Sequence, residues 1–134
     1  KMAQVMLDAL CVAQMSPKDI GYINAHGTAT ISGDIAESVA TAQVFGQAVP
    51  VSTLKSYMGH TLGACGALEA WMSIEMMREG WFAPTINLQT VDSRCGALDY
   101  IQGEGRTINC NAIMSNNFAF GGINTSLIFK RFEK

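Results

Sequence analysis

Charge is scarce in this chain. Only 15% of its 134 residues are Asp, Glu, Lys or Arg, against about 25% in an ordinary soluble domain. So little charge leaves little to cover a surface, and predicts that part of the exterior packs against another layer. The net charge of −2 excludes a field that would draw the chain to nucleic acid or to an anionic membrane. No apolar run reaches the ~18 residues of a membrane span, and no signal or transit pattern is present, so a reduced, cytoplasmic compartment is expected. The four cysteines, Cys11, Cys65, Cys95 and Cys110, form no CxxC pair and no metal-ligand spacing, so no metal site is expected. Three of them sit among apolar or small neighbours, as buried free thiols do. Lys130, Arg131 and Lys134 read as a solvated end, not a docking patch. A chain that starts at Lys1 instead of methionine is expected to be a piece of a longer protein.

What is present is one domain's worth of alternating pattern, long enough to bury roughly two-thirds of its unfolded surface. Met2 to Gln14 places Met2, Val5, Met6, Ala9, Leu10 and Ala13 on one side at helical spacing. Ile20 to Ala25 reads as a strand running into His26-Gly27-Thr28. Gly33-Asp34 opens a second helix, with Asp34 as cap and Glu37 at capping-box spacing, ending near Phe45-Gly46. Val49 to Thr53 is a buried strand. Thr61 to Glu79 is the longest helix, small-sided early (Gly63, Ala64, Gly66, Ala67) and bulky later (Leu68, Trp71, Met72, Met76). Its early turns should be deeply packed, and some of its bulky residues should point away from its own sheet. Trp81 to Asn87 reads as extended and Val91 to Gly105 as loop. Asn109 to Asn116 and Asn124 to Phe132 form a strand pair joined by Ala119-Phe120-Gly121-Gly122. Such an order predicts an α/β layer, helices packed on a mixed sheet.

Three chemically able groups follow predicted strands, where α/β folds place their sites. They are His26, Lys55 and His60, and the two histidines both stand beside glycines. Two neutral imidazoles and an ammonium suit chemistry that develops negative charge on a carbonyl oxygen. A neighbouring Lys55 keeps imidazoles neutral by like-charge repulsion.

The segments Asn24-Ala25-His26-Gly27-Thr28-Ala29-Thr30 with Gly33-Asp34 and Glu37, Lys55 with Gly59-His60, Gly63-Ala64-Cys65-Gly66-Ala67, Ala83-Pro84-Thr85-Ile86-Asn87, and Asn117-Phe118-Ala119-Phe120-Gly121-Gly122-Ile123-Asn124 follow one another in an order and spacing that resembles the elongating β-ketoacyl-acyl-carrier-protein synthases of the thiolase superfamily. The likeness runs from about Ile20 to Phe129. It implies a thiolase-like fold, with residues 1–134 as most of the C-terminal half and a layered αβαβα body when complete. It implies a decarboxylative Claisen condensation in which malonyl-carrier protein meets an acyl-enzyme. The acyl-bearing cysteine belongs to the missing N-terminal half. In that resemblance His26 and His60 hold the malonyl thioester carbonyl and the enolate. Lys55 organises the site, paired with Glu69, while Thr28 and Thr30 bind the phosphopantetheine arm. Phe120 gates the acyl pocket and lends its amide to an oxyanion hole, and Phe118 lies with the substrate-binding groups. Asp34 and Glu37 take structural roles in capping and local ion pairing.

The implied partners are an acyl carrier protein, the missing N-terminal half, and a second ketosynthase subunit in a homodimer or heterodimer. Phosphopantetheine arrives on the carrier, so no resident cofactor is implied. Departures from the family pattern at Leu54, Met58, Ala119 and Ile123 point to a specialised substrate in a polyene or polyketide pathway, and Ala119 predicts a stiffer gate. Two other readings stand beside this one. A non-catalytic subunit resembling a chain-length factor would keep the fold and lose the chemistry, which the retained His26, Lys55 and His60 oppose. An autonomous thiol enzyme would use Cys65, at a position where the family carries a small packing residue.

Overall fold

Strand alternation in the centre of the chain dictates the architecture. The computed structural model describes residues 1–132, so Lys134 of the basic tail lies outside the described residues. Helix α1 (Met2–Ala13) is followed by β1 (Ile23–Asn24), α2 (Ile31–Phe45), β2 (Pro50–Ser52) and the single turn α3 (Lys55–Met58). Then come α4 (Cys65–Glu79), β3 (Trp81–Phe82), β4 (Asp99–Tyr100), β5 (Arg106–Thr107), β6 (Ala112–Phe118) and β7 (Asn124–Lys130). The main sheet has the order β4-β2-β1-β6-β7. Its first four strands are parallel, and β7 returns antiparallel to β6 with Ala112 opposite Lys130 and Phe118 opposite Asn124. β3 and β5 make a separate antiparallel pair.

Because strand side chains alternate between faces, the central strands build two cores at once. Ile23, Val51, Ala112 and Met114 face one side and pack with Met6 and Leu10 of α1 and Ala40 of α2. Tyr22, Ile113 and Ile101 face the other side, where Met76 and Met77 of α4, Phe82 and Leu54 close over them. The sheet is thus covered on both faces, the expected α/β layer. Leu54, a departure from the family pattern, is a fully buried member of the second core, and Met58 packs partly buried against it.

Several boundaries differ from the sequence expectation. The second helix begins at Ile31 with Thr30 as N-cap and no side-chain cap bond. Asp34 therefore lies inside the first turn and not at the cap position. The stretch read as Thr61 to Glu79 splits into a 3-10 turn, Leu62–Ala64, and α4. Its small residues are not deeply packed: Gly63, Ala64 and Ala67 are exposed, and a Cβ built on Gly63 or Gly66 meets nothing within 4 Å. Small residues there permit a close neighbour, and this chain supplies none. Farther along α4, Met76 is buried while Trp71 is 61% exposed, with Leu68 and Met72 between the two. A helix advancing 100° per residue cannot turn all four to one sheet, and Trp71 is the one left outward. Of the four cysteines only Cys65 is buried; Cys11 is exposed, and Cys95 and Cys110 are intermediate. No helix among the described residues is long and apolar enough to cross a membrane.

Candidate active site

The site gathers where β1, β2 and β6 end. Asn24, the last residue of β1, is fully buried and directs its amide in three ways. Its Oδ1 accepts from the Leu54 amide at 3.1 Å, and its Nδ2 donates to Glu69 Oε2 at 3.2 Å and Ser115 Oγ at 3.1 Å. One side chain thereby ties the end of β1 to the turn carrying Lys55, to α4 and to β6.

Two residues on, His26 sits half-buried. It is pushed down to about 4, first by burial and then by the positive charge of Lys55, so its imidazole is neutral at physiological pH. Its Nδ1 is buried without a hydrogen-bond partner. The backbone here is held from α2: Glu37 Oε1 accepts the His26 amide at 2.7 Å and Oε2 accepts the Gly27 amide at 2.9 Å. The expectation that Glu37 completes a capping box is thus corrected, since its oxygens are spent on the histidine loop. Burial raises Glu37 to about 7, against the pull of the same two amides. Gly27 needs its missing side chain. Its φ is +45°, and a Cβ would stand 2.7 Å from Thr53 Cβ, well inside contact distance in a region costly for L-residues.

Lys55, read as part of a loop after β2, begins the α3 turn and is buried. Its ammonium donates to Glu69 Oε1 at 2.5 Å, as the resemblance implied. Glu69 also accepts from Asn117 Nδ2 at 3.1 Å, so three donors surround a carboxylate of zero exposure. Such pairing is what allows opposite charges to persist in an interior.

His60 follows α3, eight residues past β2, not directly after a strand. Its ring lies 5.4 Å from that of His26, edge to face. The Leu62 amide donates to His60 Nδ1 at 3.0 Å. A nitrogen that accepts from a backbone N–H carries no proton itself, so the neutral ring holds its proton on Nε2. Leu62 reaches this position at φ +52°, a left-handed conformation costing roughly 1–2 kcal/mol for an L-residue.

His60 and Lys55 line a cavity of about 440 Å³ together with Gly27, Thr28, Thr53, Ser56, Thr85 and Asn87. Thr28 is at its wall, with its hydroxyl 3.1 Å from that of Thr30, and Thr30 lines the adjoining cavity under α2. Phe118, at the end of β6, meets the His26 ring edge-on at 6.2 Å. Phe120 does not join the cluster, since its ring is wholly exposed beyond β6. The stiffening expected from Ala119 does not arise: Ala119 is extended at φ −93°, and the positive φ values fall on Gly121 and Gly122. Asn24, Asn117 and the true partners of Glu37 are the functional contacts that sequence reasoning missed. Asn24 and Asn117 both lie in the quoted motifs, and polar residues at the ends of otherwise buried strands were the available signal. Among the described residues no cluster of three or more His, Cys, Asp or Glu is arranged to hold a metal ion.

The arrangement presents the neutral His26 imidazole and the His60 imidazole, whose Nδ1 accepts from the Leu62 amide, beside a buried ammonium–carboxylate pair. It can donate hydrogen bonds to an oxygen that gains negative charge.

The model of the beta-ketoacyl synthase C-terminal domain matches residues 1–89. The chain is 41% identical to 3-oxoacyl-acyl-carrier-protein synthase 2 of Staphylococcus aureus, covering 98% of this chain and 32% of that protein. It superposes on a beta-ketoacyl synthase from Burkholderia phymatum with a TM-score of 0.97 and 61% identity, covering 98% of this chain and 32% of that one. A ketosynthase from Xenorhabdus doucetiae, solved in complex with its chain length factor, gives a TM-score of 0.88 and 38% identity over 94% of this chain and 32% of that one. The chain spans about a third of the length of these relatives.

Proposed function

Because the chain belongs to the beta-ketoacyl synthase C-terminal domain family, we propose that it supplies the decarboxylation half of a β-ketoacyl-acyl-carrier-protein synthase site. The carrying observation is the pair of imidazoles whose rings stand 5.4 Å apart, edge to face. In this reading a malonyl group, borne on the phosphopantetheine arm of an acyl carrier protein, enters the cavity past Thr28 and Thr30. His26 and His60 donate to its thioester oxygen. The bond to the carboxylate breaks, carbon dioxide leaves, and the electron pair is held as an enolate on that oxygen. The enolate carbon then attacks an acyl thioester on a cysteine outside this chain and displaces the thiol. Lys55 and Glu69 set the local field, and Phe118 lies alongside. Phe120 serves as a gate only where a further layer covers its exposed ring.

The reading places the complete enzyme in the cytoplasm, acting in fatty-acid or polyketide synthesis as a dimer of ketosynthase subunits, with no resident cofactor or metal. The outward small-residue turn before α4 and the exposed Trp71 suit burial against the remaining two-thirds of such an enzyme. Cys65 does not serve as the acyl acceptor here: it is buried and bonds to His60 Nδ1, the side of the ring turned from the donating Nε2.

The test is a chimera in which this chain replaces the final third of the Burkholderia phymatum relative. The chimera is expected to form ketoacyl product and the 134-residue chain alone to form none. In the chimera, His26→Ala or His60→Ala should each lower malonyl-carrier decarboxylation by about 10²-fold or more. Product from the isolated chain, or a doubly substituted chimera with full activity, would overturn the proposal.

A further inference from the structure

The Nδ1 atom of His60 has two neighbours, and only one is a backbone amide. The second is the Cys65 thiol, whose Sγ lies 3.3 Å away. Cys65 is the first residue of α4 and only 3% exposed. Behind it, Thr61 Oγ1 donates to the same sulfur at 3.4 Å. A hydroxyl that donates into sulfur leaves the S–H free to donate onward, and bonds in such a chain strengthen one another. The line therefore runs from the Thr61 hydroxyl through the Cys65 thiol to the imidazole. Cys65 turns inward at an otherwise open helix end, since its neighbours Gly63, Ala64 and Ala67 are exposed.

We propose that Cys65 is a positioning residue for His60, its S–H acting with the Leu62 amide to hold the ring as the Nε2–H tautomer. An Nδ1–H tautomer would set a proton against both donors at once, and rotation of the ring would abandon both. Nδ1 has one in-plane lone pair, which the amide and the thiol share, and the thiol adds a second direction of restraint on the exposed imidazole. The consequence for catalysis rests on the reading of His60 as an oxygen donor given above, whereas the contact and its effect on the tautomer do not.

The experiment reads the tautomer directly in the 134-residue chain, by long-range proton–nitrogen correlation of the 15N-labelled His60 ring. The chain is expected to show the Nε2–H form. In Cys65→Ala the ratio should move about threefold towards Nδ1–H, the effect of one weak neutral donor. Cys65→Ser, which retains a donor of similar size, should restore the ratio. Thr61→Val should give a smaller displacement in the same direction as alanine. An unchanged ratio in Cys65→Ala overturns the proposal. So does a serine variant that matches alanine, because packing and not donation would then be responsible. In the chimera, Cys65→Ala should lower kcat for malonyl decarboxylation with KM unchanged. A tautomer shift in the chain, accompanied by a chimera inactive in every form, leaves the positioning role standing and removes the functional reading instead.

Discussion

Glu69→Ala is expected to destabilise the chain by about 3–5 kcal/mol, the usual cost of stranding one member of a buried ion pair. Lys55 would keep its ammonium 6% exposed with no counter-charge, and the Asn24 and Asn117 amides would lose an acceptor. A domain of this size holds only about 5–15 kcal/mol in total, so the midpoint of thermal unfolding should fall by roughly 10–20 °C. The pair itself is another matter. Replacing both members, as Lys55→Met with Glu69→Leu, should recover most of that stability, because neither charge then needs to be desolvated. Urea unfolding of the single and double variants decides the point. A double variant as unstable as Glu69→Ala would mean that the surrounding amides, and not the unpaired charge, carry the cost. Either way the chimera bearing the double variant should be inactive, which separates the pair's part in the site from its part in the fold.

A second large effect is hidden in the unsubstituted chain. Glu37 is raised from 4.5 to about 7. Its native form therefore keeps a proton that the unfolded chain gives up, and its contribution is full below pH 4.5 and lost as pH rises towards 7. The gap corresponds to about 3 kcal/mol. His26 is lowered from 6.5 to about 4, so its contribution is full above pH 6.5 and lost as pH falls through 4. Its half-exposed ring is partly screened, and about 2 kcal/mol is a fair allowance. The two slopes oppose each other over nearly the same interval, and the chain's stability should change little between about pH 4.5 and 6.5. Removing one group exposes the other. Glu37→Gln should become steeply more stable as pH rises through this interval, while His26→Asn should become less stable. Unfolding free energies at half-unit steps of pH read this directly, and a Glu37→Gln profile parallel to that of the parent chain would refute it.

The motif order made His26, Lys55 and His60 legible as candidates, and the two histidines stand beside glycines that adopt positive φ, Gly27 and Gly59. The Lys55–Glu69 pair was legible through the family resemblance and not through spacing, because α4 starts at Cys65 and not at His60. Less could be read where a role depends on a distant partner. A polar residue at the end of a buried strand was a local signal for Asn24, but its partners Leu54, Glu69 and Ser115 lie 30 to 91 positions away. Asp34 and Glu37 have capping-box spacing from a false start: the helix begins at Ile31, and Glu37 turns instead to the His26 loop. β4 and β5 have two residues each, too few for periodicity to register, although β4 completes an edge of the sheet. The turn before α4 was misjudged for another reason: small residues reveal that a neighbour can come close, not that the neighbour belongs to the same chain.

The pairing of β1 with β6 has a temporal consequence. Ile23 lies against Met114 and Asn24 against Ser115, so the centre of the sheet joins residues about ninety positions apart. Contacts of that separation form slowly, after local helices and turns. During synthesis, α1, α2 and the first two strands emerge well before β6, with the edge of β1 still open and the Asn24 amide lacking Ser115. The Glu69 carboxylate waits likewise for Asn117. Until β6 leaves the ribosome, the part of the sheet already made has an unfilled slot beside β1, a state exposed to aggregation. The hydrogen bonds that brace the ends of β1 and α4 are thus completed late, by the arrival of β6.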